Sequence, residues 1–391
     1  MENDLAGDYW LANDIDAAAT SGWHGGAGFI PIGQGVPYFT GSFDMRGHTI
    51  SDLFINRPGD DYVGLFGVVQ TAGGSVSFIN GTLADVDITG DDRVGALIGY
   101  IAGGLTSEIT DIIVSGSITG DRYVGGVVGQ DYTTANLTIS GCNSSGTVTS
   151  LGDYVGGLIG ATYFANISKC FSSATVVSDG WYVGGLIGYF WGTGTLAESY
   201  ATGNVSSPFG TWVGGLIGYI RECENIADCY ARGNVTGDDL VGGLTGELGT
   251  GIISNSFSTG LITGNTNVGG FCGNNDDTIT NCFWDKQTSG QAASSGGTGK
   301  TTDEMQEKST FTSADWDFII IWFINGITND GYPFFWMMPP EPMPDAPRET
   351  VAVEDKITLE CVRNIEMAAG GRFRIGKEGK AVYKSRYARN A

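Results

Sequence analysis

A valine followed by glycine returns along this chain at a nearly fixed step, and that period restricts the fold more than any single residue. The valine falls at Val63, Val94, Val124, Val155, Val183, Val213, Val241 and Val268, in steps of 31, 30, 31, 28, 30, 28 and 27 residues. A unit of this length cannot bury an apolar face alone, so the copies must stack. Two further columns keep step with it. One runs Ile79, Ile112, Cys142, Cys170, Ser199, Cys229, Ser256 and Cys282; the other runs Ile88, Ile118, Val148, Val177, Val205, Val235 and Ile262. Three short apolar segments per copy, each bounded by Gly, Asn, Asp or Ser, read as three short strands joined by tight turns. The 64 glycines argue against helix, where each costs about 1 kcal/mol relative to alanine, whereas turns with positive φ take glycine freely. A propeller would need four strands and about 40 or more residues per copy. The predicted fold is therefore all-β: a parallel β-solenoid of eight or nine coils, about 28–31 residues and three short strands per coil, with capped ends and a small C-terminal β-rich module.

The period sets the expected domain limits. Residues 1–58 precede it and read as an N-terminal cap, and residues 59–285 are the repeats. Residues 286–338 hold a short helical stretch at Asp303 to Lys308 and an aromatic cluster, Trp316 to Trp336, expected to seal the other end. Residues 339–347 carry five of the ten prolines and read as a semi-rigid linker. Residues 348–391 then form a small basic module with strand-like Lys356 to Val362 and a hairpin expected at Arg372 to Tyr383. Charge divides the same way: residues 1–347 carry ten basic and 37 acidic side chains, a net of −27, and residues 348–391 carry ten and six, a net of +4.

No run of about 20 apolar residues is present, so no membrane-spanning helix is expected. The first residues lack the basic and apolar regions of a signal peptide, which reads either as a protein not exported by the general route or as a residue 1 that is not the true beginning. Seven cysteines, four in the small column where Ser199 and Ser256 also stand, read as free buried thiols rather than a disulfide framework. No Cys-x-x-Cys or His-rich ligand set exists, so no metal centre is expected.

The core of each copy resembles the GLUG motif family, named for Gly, Leu, any residue, Gly. Gly157 to Gly160, Gly185 to Gly188 and Gly215 to Gly218 read Gly-Leu-Ile-Gly; Gly243 to Gly246 and Gly64 to Gly67 fit the pattern, while the copies at Ala96, Gly126 and Gly270 depart mildly. Gly7 to Asp16, Phe43 to Ile50 and Cys282 to Asp285 resemble the family's flanking segments. The resemblance spans roughly residues 5 to 336. It implies a repeat architecture of the kind known from bacterial surface proteins, adhesins, phage-like structural proteins and noncatalytic parts of some zinc peptidases. The peptidase activity does not carry over: its His-Glu-x-x-His helix is absent from a chain whose two histidines are His24 and His48.

Three sets of residues are candidates for binding. The residues before the valines, Tyr62, Tyr123, Tyr154, Tyr182 and Trp212, interrupted by Arg93, are expected to face outward as an aromatic ladder. Such a ladder either binds sugars or another subunit, or simply rigidifies the coil. The acidic turns include Asp61, Asp92, Asp153 and Asp239, where calcium would relieve repulsion between stacked carboxylates. Arg122, Trp181 and Thr211 break that column, so solvated turns are the competing reading and no cofactor is expected otherwise. The basic tail, with Arg372, Arg374, Lys377, Lys380, Lys384, Arg386 and Arg389, suits docking onto an acidic protein or another copy, not nucleic acid, which the −27 body repels.

These features predict a nonenzymatic structural or adhesive rod at a virion or cell surface, anchored or assembled through its basic module and able to meet other structural proteins, copies of itself or a surface glycan. A phage fibre, spike or decoration protein is the leading expectation, a bacterial cell-surface adhesin the alternative. A glycan-cleaving β-helix, with acid pairs from neighbouring coils, is the third.

Overall fold

The computed structural model describes residues 4–71, 74–104, 107–134 and 137–335 with their side chains, and the backbone of Arg372–Ile375 and Ala381–Lys384. The valines stack as the period requires. Val94 pairs with Val124, Val124 with Val155, Val155 with Val183, Val183 with Val213, Val213 with Val241 and Val241 with Val268, all in parallel. Val63 joins the column by a single parallel bridge to Val94. The protein is a parallel β-solenoid whose side walls are three sheets of 22, 8 and 7 strands among the described residues.

The three predicted segments do not correspond one to one with the three sheets. The valine-glycine pair forms the seven-stranded sheet, while the four to six residues that start at the third position of each Gly-Leu-Ile-Gly-like motif form the eight-stranded sheet by themselves, as at Ile98–Gly103 and Ile187–Trp191. Both remaining columns lie in the largest sheet, which takes the long strands Ser77–Thr89 and Ser107–Gly120. Two column members are corrected by the register. Val148 pairs with Val176, which is fully buried, so Val177 points outward at 40% exposure. Ile79 lies opposite Thr110, and the residue opposite Ile112 is Gly81, where a Cβ would meet the side chain of Met45. Met45, borrowed from the preceding coil, fills the volume that the column otherwise fills with its own side chain.

Residues before the first valine continue the largest sheet instead of breaking from it. Phe43 pairs with Phe78, Ile50 with Leu83 and Ile55 with Ile88; Tyr9 and Ile15 pair in turn with Phe43 and Ile50. The C-terminal segment divides its work. Thr298–Lys300 adds a last parallel strand, and Ser294 and Ser295 hydrogen-bond to the backbone of Cys272 and Gly273 across the end of the stack.

Residues 302–335 turn back along the side of the solenoid. Their short helices, Thr302–Met305 and Lys308–Thr312, bury Met305 and Phe311. With Trp316, Trp322 and Phe335 they cover a column of stacked rings on the largest sheet: Phe171 on Tyr200, Tyr200 on Tyr230, and Tyr230 on Phe257, at 4.6–5.0 Å between centroids. Polar bonds fix this strap. The Trp322 indole donates to Asp228 at 2.9 Å, Arg232 donates to Asp330 at 2.7 Å, and the Tyr332 hydroxyl donates to the fully buried Asp285 at 2.7 Å. Asp285 also accepts from the backbone N–H groups of Gln287 and Thr288, capping the short helix Lys286–Ser289. The aromatic cluster thus serves mainly as a lateral cover.

The six described cysteines are free and buried. Burial pushes the Cys272 and Cys282 thiols up to about 12, so they are inert small hydrophobes at physiological pH.

Residues 339–391 form a separate unit. Within it, Arg372–Ile375 and Ala381–Lys384 pair antiparallel, Phe373 opposite Tyr383. The proline linker and the strand expected at Lys356 to Val362 lie outside the described residues.

An aromatic face on the solenoid

Each coil turns its corner through a non-glycine residue in the left-handed region. The residue before each valine has φ between 47° and 66°: Tyr62, Arg93, Tyr123, Tyr154, Tyr182, Trp212, Leu240 and Asn267. A side chain there costs about 1–2 kcal/mol, and the sequence places its largest rings on it. Stacking supplies the offset. Tyr123 lies on Tyr154 at 4.5 Å and 1°, Tyr154 on Tyr182 at 4.8 Å and 11°, and Tyr182 on Trp212 at 4.7 Å and 7°. Tyr62 is separated from Tyr123 by Arg93, whose guanidinium lies 5.3 Å from one ring centre and 5.1 Å from the other.

These contacts predict a sign. Tyr154→Gly removes the left-handed strain but also three ring contacts, to Tyr123, Tyr182 and Tyr189, each worth about 0.5–1.5 kcal/mol, and the buried area of the ring. The variant is expected to be less stable by about 2 kcal/mol in urea denaturation. An unchanged or higher midpoint would show the stack contributes nothing.

Beside this ladder, the eight-stranded sheet carries two more columns that sequence reasoning missed. The residue after each motif gives Tyr100, Gln130, Ala161, Tyr189, Tyr219 and Glu247 in register. Two residues further on stand Tyr132, Tyr163 and Trp191 on successive coils. Their rings turn. Tyr189 meets Tyr154 at 79° and Tyr182 at 70°, Tyr132 meets Tyr163 at 70°, and Tyr163 meets Trp191 at 61°. Tyr132 is 48% exposed. The signal was present in the sequence, since an aromatic residue recurs directly after Gly-Leu-Ile-Gly.

Polar groups hold the face in shape. Arg93 Nε donates to Gln130 Oε1 at 2.7 Å, the Trp212 indole donates to Glu247 at 2.6 Å, and the Trp191 indole donates to Glu222 at 2.9 Å. Desolvation by the neighbouring rings raises the Tyr100, Tyr123, Tyr182, Tyr189 and Tyr219 hydroxyls and pushes Tyr163 up to about 12. All keep their protons at neutral pH.

The four acids expected to hold calcium do not converge. Asp61 and Asp92 lie on neighbouring coils, and the Asp92 backbone N–H donates to Asp61 at 3.4 Å. Arg122 occupies the Asp92 carboxylate through Nε at 3.1 Å and Nη2 at 2.5 Å. Asp153 accepts from the Trp181 N–H at 2.7 Å. Asp239 accepts from the Thr266 hydroxyl, the Asn267 amide and the Leu240 N–H, which hold its carboxyl below the usual range. Asp91, Asp92 and Asp121 do approach within 4.8 Å of one another. Desolvation, then repulsion from Asp92, raises the Asp91 carboxyl. These carboxylates serve as turn and inter-coil ties. Of the basic tail, Arg372, Arg374 and Lys384 lie in the hairpin strands. Lys377, Lys380, Arg386 and Arg389 lie outside the described residues.

The family described as the GLUG motif matches residues 152–177 and 179–206. Halomucin of Haloquadratum walsbyi is 38% identical over 159 residues, 39% of this chain and 1% of that protein. A protein of Evansella cellulosilytica named as a Gly-rich membrane protein is 35% identical over 95 residues, 23% of this chain and 10% of its own length. This chain therefore spans a small part of each. A crystal structure from Bacteroides ovatus, named as that of an immunoglobulin A1 protease, aligns over 84% of this chain and 85% of that one, at 18% identity and a TM-score of 0.46. The matched segments are two consecutive coils of the stack, in register with their neighbours on both sides. Two consecutive coils of the chain thus carry the GLUG motif.

Proposed function

We propose that this chain is the rod of an extracellular, cell-surface protein that displays an adhesive side face and catalyses no reaction. The observation that carries this reading is the aromatic face, covered by no other segment among the described residues and built coil upon coil along the stack. Its rings, left-handed corners and inter-coil bonds are spent on holding a fixed surface. Three of the turn acids, Asp92, Asp153 and Asp239, are engaged by Arg122, Trp181, and Thr266 with Asn267. The similarity to Halomucin and to a protein named as a Gly-rich membrane protein supports a place at the cell surface. No described helix is long and apolar enough to cross a membrane.

The virion appendage expected from the sequence gains no support from these relatives and stands second. One experiment separates the two. Immunogold labelling with antibody to the chain is applied to intact source cells and to particles pelleted from their medium. Gold on cells, lost after mild protease treatment without lysis, is the expected result. Gold confined to virus particles would transfer the rod to the virion, and gold seen only after lysis would end both readings.

A further inference from the structure

We propose that the aromatic face beside the corner ladder binds an extended, uncharged polysaccharide, with sugar rings lying against Tyr132, Tyr163 and Trp191. The inference rests on the surface-rod reading and names what the rod adheres to. Nine of the chain's 16 tyrosines stand on this side of the solenoid, so the enrichment belongs to one surface and not to the composition at large.

The molecule contains an internal comparison. The ring column on the largest sheet mixes phenylalanine with tyrosine, and the chain buries it under its own strap of Trp316, Trp322 and Phe335. The column of Tyr132, Tyr163 and Trp191 has no phenylalanine and no strap among the described residues. A tyrosine combines an apolar ring with a hydroxyl that can hydrogen-bond a partner, which suits a partner that is itself hydroxylated.

Ring orientation favours sugars here over the corner ladder. In the ladder the rings lie within 11° of parallel, so each face is consumed by the next ring. Along Tyr132, Tyr163 and Trp191 successive planes turn by 61–70°, so the rings are not stacked face on face, and on one side Arg221 lies over Trp191 at 5.6 Å from its centre. The apolar face of a pyranose packs on such a surface while its hydroxyls reach flanking polar groups.

Charge selects among occupants. The −27 body repels an acidic polymer and repels a second copy of itself. Beside Trp191 the charges are already matched: Arg221 lies 3.5 Å from Glu222, and Glu222 accepts from the Trp191 indole. A basic polypeptide finds Glu222 already engaged. An uncharged glycan fits without stranding any of these groups.

Affinity electrophoresis of the full chain tests this in gels containing hydroxyethylcellulose, glucomannan or xylan, with polygalacturonate as the acidic control. Retardation by at least one uncharged polymer and none by polygalacturonate is expected. Tyr132→Ala combined with Trp191→Ala should weaken it by about tenfold or more, with the melting temperature and circular dichroism retained. Should the pair fail to fold, Tyr132→Ala alone, at a half-exposed position, is expected to weaken binding severalfold. No retardation by any uncharged polymer overturns the inference, as does equal retardation of folded variants. A concentration-dependent dimer abolished by the same substitutions overturns it in favour of self-association. Surface gold without retardation removes this inference alone; retardation without surface gold removes the location and keeps the glycan.

Discussion

Replacing Gly184 by alanine is expected to destabilise the solenoid by about 4 kcal/mol or more, while the same change at the adjacent Gly185 costs only about 1–2 kcal/mol. A Cβ on Gly184 would stand 2.0 Å from the carbonyl oxygen of Ile187, three residues along the same tight corner. That oxygen belongs to the motif's own turn, so sliding one coil against the next gives no relief. The same approach recurs at Gly156, Gly214, Gly242 and Gly269, at 1.9–2.0 Å from the equivalent carbonyl.

Gly185 differs in what it meets. Its Cβ would stand 2.9 Å from the Ala201 Cβ and 2.1 Å from the carbonyl of Gly215 on the neighbouring coil, a contact between coils that opens if the two coils move apart at this point. The chain already contains that experiment, because Ala96 occupies the equivalent position and is fully buried. Neither glycine has positive φ; the close backbone approach, not conformational freedom, requires them. Urea denaturation of the two variants checks the contrast. Equal costs would mean that the corner, as described, is not the tight point of the fold.

This corner also shows what the sequence could and could not reveal. The period located the valine column without error because apolar residues on adjacent coils must pair in register. It did not disclose that the left-handed positions belong to Tyr62, Tyr123, Tyr154, Tyr182 and Trp212, since glycine seemed the natural occupant of positive φ. Val177 was placed in the core in preference to Val176 because coil length varies, and a one-residue slip sends a side chain to the opposite face. Ile79 was displaced for a different reason: Met45, 36 positions upstream of Gly81, supplies the missing volume, and no local pattern reports a loan across coils.

The lateral strap was legible in part. An aromatic residue follows the small column at Phe171, Tyr200, Tyr230, Phe257 and Phe283, which marks a surface that needs a cover. The cluster from Trp316 onward was read as closing the end of the stack because its partner column had not been recognised. For the aromatic face, the ladder was visible as one column, and the two columns beside it were not. The first is interrupted by Gln130, Ala161 and Glu247, and the second spans only three coils between Ala102 and Arg221, so neither shows a long aromatic run.

Stability is expected to fall as pH rises from about 4 toward neutrality, and Asp131→Asn is expected to remove most of that slope. Asp131 lies on the inner side of the eight-stranded sheet, between Ile101 and Thr162 in a column that continues through Phe190, Ile220 and Leu248. It is fully buried. It accepts from the Thr133 N–H at 2.9 Å and the Thr162 hydroxyl at 2.7 Å, and no cation is paired with it among the described residues. Desolvation dominates these bonds and raises its carboxyl above the ordinary value of 3.8. A carboxyl raised in the folded state binds its proton more tightly folded than unfolded. Its contribution is therefore most favourable below the unfolded value and is lost as pH climbs through the folded one. Asparagine keeps the shape and stays neutral, with the Thr162 hydroxyl turning to accept from its amide, at the loss of the long 3.4 Å hydrogen bond that the Tyr163 N–H donates to the same oxygen. At pH 7 the variant should exceed the parent by about 2 kcal/mol, and near pH 3 the two should converge. Denaturant titrations at several pH values decide it. A variant less stable than the parent at pH 7 would mean that the hydrogen bonds from Thr133 and Thr162 outweigh the loss of hydration, and that this carboxylate is ionised in the core.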